Sequence, residues 1–333
     1  MNSLILPIVV AVALAVVSFI GVPPYPLHIM IVIMIWSFTY TGWSLMGRFG
    51  LVSLGHGAFM GMGAYVTALL WNYGGMTPWL GIPIALLASA ALAVIVAYPC
   101  FKFKITGHYF ALVTLALTEV VRQTVIATRD HTGGSLGFTP TPKGNDGTSS
   151  FMSLQFDEKE TYFLIAIAVW LVGLLIWRMV DRSMMRYALD AISEDEDSAA
   201  AAGINVTREK LKITILSAVL TAFGGVMYML YQRFISPDTV GGIGISLQIV
   251  FAVVAGGIFS QFGPTIGAII TLLLAEVLRV YIGTDAVGLD NAIYGIALVL
   301  FIIFLPKGIL GGIVDGVQSL FRSDGKRASS PAE

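Results

Sequence analysis

The 333-residue chain contains one cysteine, Cys100, so an internal disulfide is excluded and no cysteine cluster can hold zinc. The histidines at 28, 56, 108 and 131 lack ligand spacing, and neither a metal centre nor another cofactor is expected. Charge is scarce as well: 12% of residues are charged and the net charge is -1, whereas a nucleic-acid partner requires a concentrated basic surface. No Gly-x-x-x-x-Gly-Lys-Ser/Thr loop occurs, so ATP is not bound by that route. His-Glu-x-x-His, Gly-x-Ser-x-Gly and repeated Asp pairs within apolar runs are also missing, which removes the common constellations of a membrane-embedded enzyme.

What the chain has in abundance is apolar length. Hydrophobic residues make up 56% of it and the mean hydropathy is +0.84. A helix needs about 20 apolar residues to cross a hydrocarbon core of roughly 30 Å. Runs near 4–20, 27–46, 50–71, 80–101, 106–127, 162–179, 211–231, 246–259, 264–281 and 290–305 predict an all-α polytopic membrane protein of about ten transmembrane or partly crossing helices. They form one transmembrane domain over 1–310, followed by a tail over 311–333 that is expected to lose order at its end. No basic residue precedes the first run and no small-residue cleavage site follows Ile20, which predicts a retained helix and not a removed leader. The run 246–259 is short and ends in Gly256 and Gly257, so a half-crossing or part of a broken helix is expected there.

Lys and Arg concentrate on the cytoplasmic side of membrane proteins. The segment 178–212 holds Arg178, Arg182, Arg186, Arg208, Lys210 and Lys212, and the tail holds Lys307, Arg322, Lys326 and Arg327. Both are therefore expected in the cytoplasm. Counting backward puts Arg48, Lys102, Lys104 and the N-terminus on the same side, with the loop 128–161 outside.

Thr114-Leu-Ala-Leu-Thr-Glu-Val-Val-Arg122 and Thr271-Leu-Leu-Leu-Ala-Glu-Val-Leu-Arg279 resemble each other, which points to an internal repeat of the kind transporters use. On the expected topology the copies run the same way. Glu119 with Arg122, and Glu276 with Arg279, lie three residues apart and can pair on one helix face. They read either as self-neutralised clamps or as contacts for a zwitterionic solute or a docked binding protein.

Three further stretches carry candidates. In Gly50-Leu-Val-Ser-Leu-Gly-His-Gly-Ala-Phe-Met-Gly, the Gly57-x-x-x-Gly61 pair predicts close helix approach, and Ser53 and His56 can line a path or bond a neighbouring helix. In the loop 132–150, Gly133 and Gly134 follow a span and can offer backbone amides to a passing solute. In the polar segment, Ser193-Glu-Asp-Glu196 has the form of a capping box. The acidic residues Glu194 to Asp197 suit a helix start, and Ala199 to Ala202 lead to Gly203 as a stop. A helix of about nine residues is marginal alone in water, so a partner is expected to hold it, with the alanines as its docking face.

Together, Ser53-Leu-Gly-His-Gly-Ala-Phe, Tyr109-Phe-Ala-Leu-Val-Thr-Leu-Ala-Leu-Thr-Glu, Thr132-Gly-Gly-Ser, Ala191-Ile-Ser-Glu-Asp-Glu through Ala-Gly203-Ile-Asn-Val-Thr, Phe234-Ile-Ser-Pro-Asp238 and Gly256-Gly-Ile-x-Ser-x-x-Gly-Pro264 resemble the LivM-type permeases of branched-chain amino acid ABC transporters. The resemblance covers roughly residues 25–310. It implies a multi-pass subunit of the bacterial inner membrane, surrounded by membrane lipid and paired with a homologous LivH-type permease. Two cytoplasmic ABC ATPases and a periplasmic solute-binding protein complete the implied assembly, and alternating access driven by the ATPases is the implied mechanism. Glu194, Asp195, Glu196, Asp197, Ala199, Ala200, Ala201, Ala202 and Gly203 would then form the helix that couples to the ATPase. The path would involve Ser53, His56, Gly57, Tyr109, Glu119, Gly133 and Gly134. Phe259, Gln261-Phe262 and the Pro-rich continuation of Thr-Gly-Gly-Ser depart from the common pattern, and the implied solutes include urea, short amides and aromatic acids beside leucine, isoleucine and valine. An ion-coupled secondary carrier is the alternative; it needs ligands near the bilayer midplane, whereas most charges here lie near span ends.

Overall fold

The computed structural model describes residues 5–18, 21–140, 151–282 and 295–296. The expected run at 290–305, apart from 295–296, and the expected tail at 311–333 lie outside the described residues, as does the stretch 141–150. Long helices follow the apolar runs: α1 Ile5–Ser18, α2 Pro24–Gly47, α3 His56–Asn72, α4 Pro78–Lys102 and α5 Gly107–Ala127, then α7 Lys159–Asp181, α10 Val206–Gln232, α12 Gly242–Gly256 and α13 Gly263–Ile282. Between them lie α6 Arg129–Thr132, α8 Met184–Glu194, α9 Glu196–Ala201 and α11 Pro237–Val240. Among the described residues, 7 helical segments are long and apolar enough to cross a membrane. The expected short run at 246–259 belongs to one of these, because α11 and α12 together give 20 residues from Pro237 to Gly256. Proline in the first turn starts α2 and α4, where its missing N–H costs no helical hydrogen bond.

α2 and α10 form the centre. Their apolar windows are 83% and 72% buried, against 28% for both α4 and α5, so the last two present most of their surface outward. Small residues let the central backbones approach. A Cβ at Gly63 would lie 2.0 Å from the Ala222 carbonyl oxygen, and one at Gly225 2.1 Å from that of Met60, which locks α3 against α10. Of the pair expected to mediate close approach, Gly57 does so, since its Cβ would lie 2.5 Å from the Gly242 oxygen; Gly61 does not, because its nearest neighbour would be 3.6 Å away.

The bundle has two distinct ends. At one, Arg48 pairs with Asp181 at 3.0 Å, Lys104 with Asp197 at 2.7 Å, and Lys210 with Glu196; we call this the basic end. At the opposite end, Arg122 meets Asp238 at 3.1 Å, and Glu276 accepts a hydrogen bond from Tyr25 in the first turn of α2. α5 starts at the basic end and α13 nearer the middle of the bundle, where Trp170 of α7 bonds Thr265; both carry their Glu-x-x-Arg pairs toward the opposite end, so the two stretches run the same way. Both pairs form, at 3.3 Å for Glu119 with Arg122 and 3.0 Å for Glu276 with Arg279.

Candidate functional site

The expected span 50–71 is broken. Arg48 anchors the chain at the basic end, its guanidinium 4.4 Å from the Trp177 ring and 4.7 Å from that of Phe49. Gly50 then takes a left-handed conformation, φ +77°, which a side chain would resist. Residues 51–55 run back into the bundle without helical hydrogen bonds, and α3 begins only at His56, beside Ser217 in the middle of α10. Irregular backbone at membrane depth requires internal partners, and side chains supply them. The Leu54 N–H donates to Thr114 Oγ1 at 3.0 Å and its carbonyl accepts from Thr118 Oγ1 at 2.9 Å. Trp43 Nε1 donates to the Ser53 carbonyl at 2.8 Å, and the Gly57 N–H donates to Ser246 Oγ at 2.9 Å.

His56 completes this joint. The Ser217 hydroxyl donates its only proton to the Gly42 carbonyl at 2.7 Å. Its 2.7 Å contact with His56 Nε2 therefore assigns the proton to that nitrogen. His56 Nδ1 has no hydrogen-bond partner among the described residues, and the ring is 0% exposed. α2, α5, α10 and α12 all hold the break through side chains, so relative movement of these spans must be felt at residues 51–57.

The second candidate region is the elbow of α8 and α9 at the basic end, where the structure corrects the expected helix. Ser193 is not a cap: it lies inside α8 and its hydroxyl bonds the Asp190 carbonyl at 2.7 Å, so no capping box with Glu196 forms. Glu194 ends α8. Asp195 is the cap, accepting from the Ser198 N–H at 2.5 Å, and α9 spans 6 residues, not nine. With Ser193 still helical in α8, the chain turns only at Asp195, so the cap and the start of α9 fall two residues later than expected. Bonding to the Ser198 amide holds the Asp195 carboxyl below the usual carboxylate range. At the other end the Gly203 N–H bonds Ala200 O at 2.9 Å and Ile204 N–H bonds Ala199 O at 3.1 Å, the Schellman pattern, with Gly203 at φ +90°.

α9 is clamped from two sides. Lys210, in the first turns of α10 and 4% exposed, reaches Glu196, and Lys104 from the α4–α5 turn meets Asp197; that hydrogen bond raises the Lys104 pKa. Glu196 therefore turns inward. Ala199 is buried against Leu189 and Ile192 of α8, while Ala200, Ala201, Ala202 and Gly203 face outward. A cavity of about 170 Å³ beside α9 is lined by Phe101, Lys102, Asp197, Ala200 and Asn205 among others.

The expected path residues are strung along α5 and not gathered into one pocket. Tyr109 is 75% exposed near the basic end. Ser53, His56 and Gly57 sit buried at the joint, and Glu119 lies beyond it, bonded by Arg122 and Gln123. Gly133 and Gly134 stand at the opposite end with positive φ. Their amides are not offered outward: Gly133 N–H bonds the Arg129 carbonyl at 2.9 Å and Gly134 N–H bonds Thr132 Oγ1 at 3.2 Å. A backbone bridge from Phe138 to Ile235 holds this loop down. Sequence reasoning missed Thr114, Thr118, Ser217 and Ser246 at the joint, and the inward role of Lys210. The signal for the threonines was their i, i+4 spacing on one face of an apolar helix, which aims two hydroxyls at one neighbour.

Comparison with known proteins agrees with this architecture. Residues 25–305 match the family described as the branched-chain amino acid transport system / permease component. The chain is 30% identical over 284 residues to the high-affinity branched-chain amino acid transport system permease protein LivM of Salmonella typhimurium and to that of Escherichia coli, covering 80% of this chain and 65% of each relative. It thus spans just under two thirds of the length of these two relatives. A nucleoside ABC transporter permease protein, NupC of Lactococcus lactis, is 25% identical over 71% of this chain and 75% of its own. No solved structure matches the chain.

Proposed function

The chain belongs to the branched-chain amino acid transport permease family, and from that premise we propose that it is the membrane-spanning subunit of an ATP-driven, binding-protein-dependent importer. Two ABC ATPases dock on the basic end, a homologous LivH-type permease completes the path, and a periplasmic binding protein delivers the solute at the opposite end. The basic end and both termini face the cytoplasm of a bacterial inner membrane, in keeping with the charge rule, and the loop 128–161 faces the periplasm. The solute is a branched-chain amino acid or a related small polar molecule. Relatives named for branched-chain amino acids and for nucleosides both match, so the family alone leaves the choice to the binding protein.

The observation that carries the proposal is α9: a six-residue helix, too short to stand alone, clamped by two lysines and showing Ala200 and Ala201 outward. Glu194 to Gly203 act as the coupling segment, with Ala200 to Gly203 as the docking surface and the acidic turn as the link to α10 and to the α4–α5 turn. ATP-driven closure of the ATPases moves α9, and the movement reaches α10, where Ser217 supports the broken span. The path follows α5 from Tyr109, past Ser53, His56 and Gly57, to Glu119 and the Gly133–Gly134 corner. Proteoliposomes holding the complete assembly should take up radiolabelled leucine when ATP is enclosed with the ATPases and ion gradients are collapsed. Uptake that instead follows a proton or sodium gradient without ATP would establish the ion-coupled carrier.

A further inference from the structure

Near the opposite end, α4, α7 and α10 leave a cavity of about 260 Å³ between them. Ile82 and Pro83 come from α4, Ile165 and Val169 from α7, and Phe223 and Met227 from α10. The Tyr162 hydroxyl at the wall is already spent on the carbonyls of Leu154 and Leu230, at 2.9 and 3.2 Å. Among the described residues, none in this lining offers a free polar group to orient a polar solute, and a site for small molecules needs such groups. The cavity therefore lies outside the transport function proposed above. Phe223 stands nine residues before the end of α10, so at 1.5 Å rise per residue the cavity reaches about 14 Å inward from the helix end.

The mouth has a different character. Trp79 Nε1 donates to the Phe151 carbonyl at 2.9 Å, an amphipathic ring of the kind that marks the bilayer interface. Phe156 lines the cavity, and its carbonyl accepts from Arg233 Nη2 at 3.2 Å. That guanidinium is half-exposed and lies 4.0 Å from the Asp157 carboxylate, itself more exposed. One cation and one anion thus lie beside Phe156, a residue of the cavity wall.

We propose that this cavity holds one acyl chain of a zwitterionic phospholipid, with Arg233 on the lipid phosphate and Asp157 on its ammonium group. The surrounding bilayer supplies the occupant, since outward neighbours on α4 such as Leu80 and Leu87 are exposed along the same helix.

Native mass spectrometry of the full chain, delipidated and then given phosphatidylethanolamine or phosphatidylglycerol, tests the proposal. One phosphatidylethanolamine per chain should survive activation that strips the rest. Val169→Phe and Met227→Phe should each lower that adduct by about tenfold, because each excluded methylene weakens binding several-fold. R233Q/D157N should remove the preference for phosphatidylethanolamine over phosphatidylglycerol. A tightly held lipid unaffected by both filling substitutions, no retained lipid at all, or equal retention of the two lipids by the unaltered chain would overturn it. Photolabelling of the unaltered chain by phosphatidylethanolamine with a diazirine at the acyl terminus gives a readout independent of any substitution. It should mark the Phe223–Leu230 stretch, and labelling spread evenly over outward residues such as Leu87 and Ile95 would contradict the site.

Discussion

Lys210 and Glu196 form an ion pair that joins a buried side chain in the first turns of α10 to the first turn of α9. The lysine is 4% exposed, so it has little water to fall back on if the glutamate is removed. The pair ties an exposed six-residue helix to the span that carries Ser217 and, through it, His56.

Glu196→Ala should therefore destabilise the chain by roughly 1–3 kcal/mol, less than a fully buried pair because the glutamate retains partial contact with solvent. Thermal unfolding in detergent reads this. Combining Glu196→Lys with Lys210→Glu should recover stability over either single reversal, and a double variant no better than the singles would remove the pair from the account.

The joint at residues 51–57 makes a second prediction. Thr114→Val deletes the acceptor for the Leu54 N–H, and Thr118→Val the donor to its carbonyl. Each leaves a part-buried backbone group without its partner, which costs about 1–3 kcal/mol. Thr114→Ser should be close to neutral. Unfolding curves of the three variants check the ordering, and equal stability for valine and serine at 114 would show that these hydroxyls do not hold the break.

Gly63→Ala places a methyl group 2.0 Å from the Ala222 carbonyl oxygen. Backbone must move, and overpacking of this kind costs about 1–3 kcal/mol. Gly61→Ala meets nothing closer than 3.6 Å and should leave the melting temperature unchanged. A reversed order would contradict the close α3–α10 contact.

Much of this organisation was legible in the residues. Apolar length located α2, α4, α5, α7, α10 and α13, because burying backbone in hydrocarbon leaves helix as the available solution. The repeated Glu-x-x-Arg pairs form at matching ends of α5 and α13. The break at 51–55 was hidden, since an apolar run keeps the same composition whether or not it is helical, and the hydroxyls that stabilise the irregular stretch come from α5, far along the chain. The cap at the elbow was misplaced for a local reason. Ser193 and Asp195 both suit an N-cap, and the choice depended on α8 extending to Glu194. The inward turn of Glu196 could not be seen without the position of Lys210.

Asp195 gives a prediction in pH. Its carboxyl is held below the usual carboxylate range, so its contribution to α9 is complete above the ordinary value and is lost as pH falls through the lowered one. Lys104, whose pKa is raised, contributes fully below the ordinary lysine value and loses its part as pH rises through the raised one. Both contributions are therefore flat near neutrality. Protection of the amides over residues 195–204, taken relative to the intrinsic exchange rate at each pH, should fall in acid, below about pH 4, and Asp195→Asn should blunt that fall while keeping an acceptor for Ser198. An unchanged acid profile in the variant would place the titration elsewhere.

Association of the purified chain with the proposed ABC ATPase subunits tests the central claim most directly. Ala200→Arg and Ala201→Arg alter outward positions of α9 and should abolish copurification of the ATPases while membrane insertion and melting temperature stay as in the unaltered chain. Normal assembly of both variants, with full ATP-driven uptake, would contradict the account.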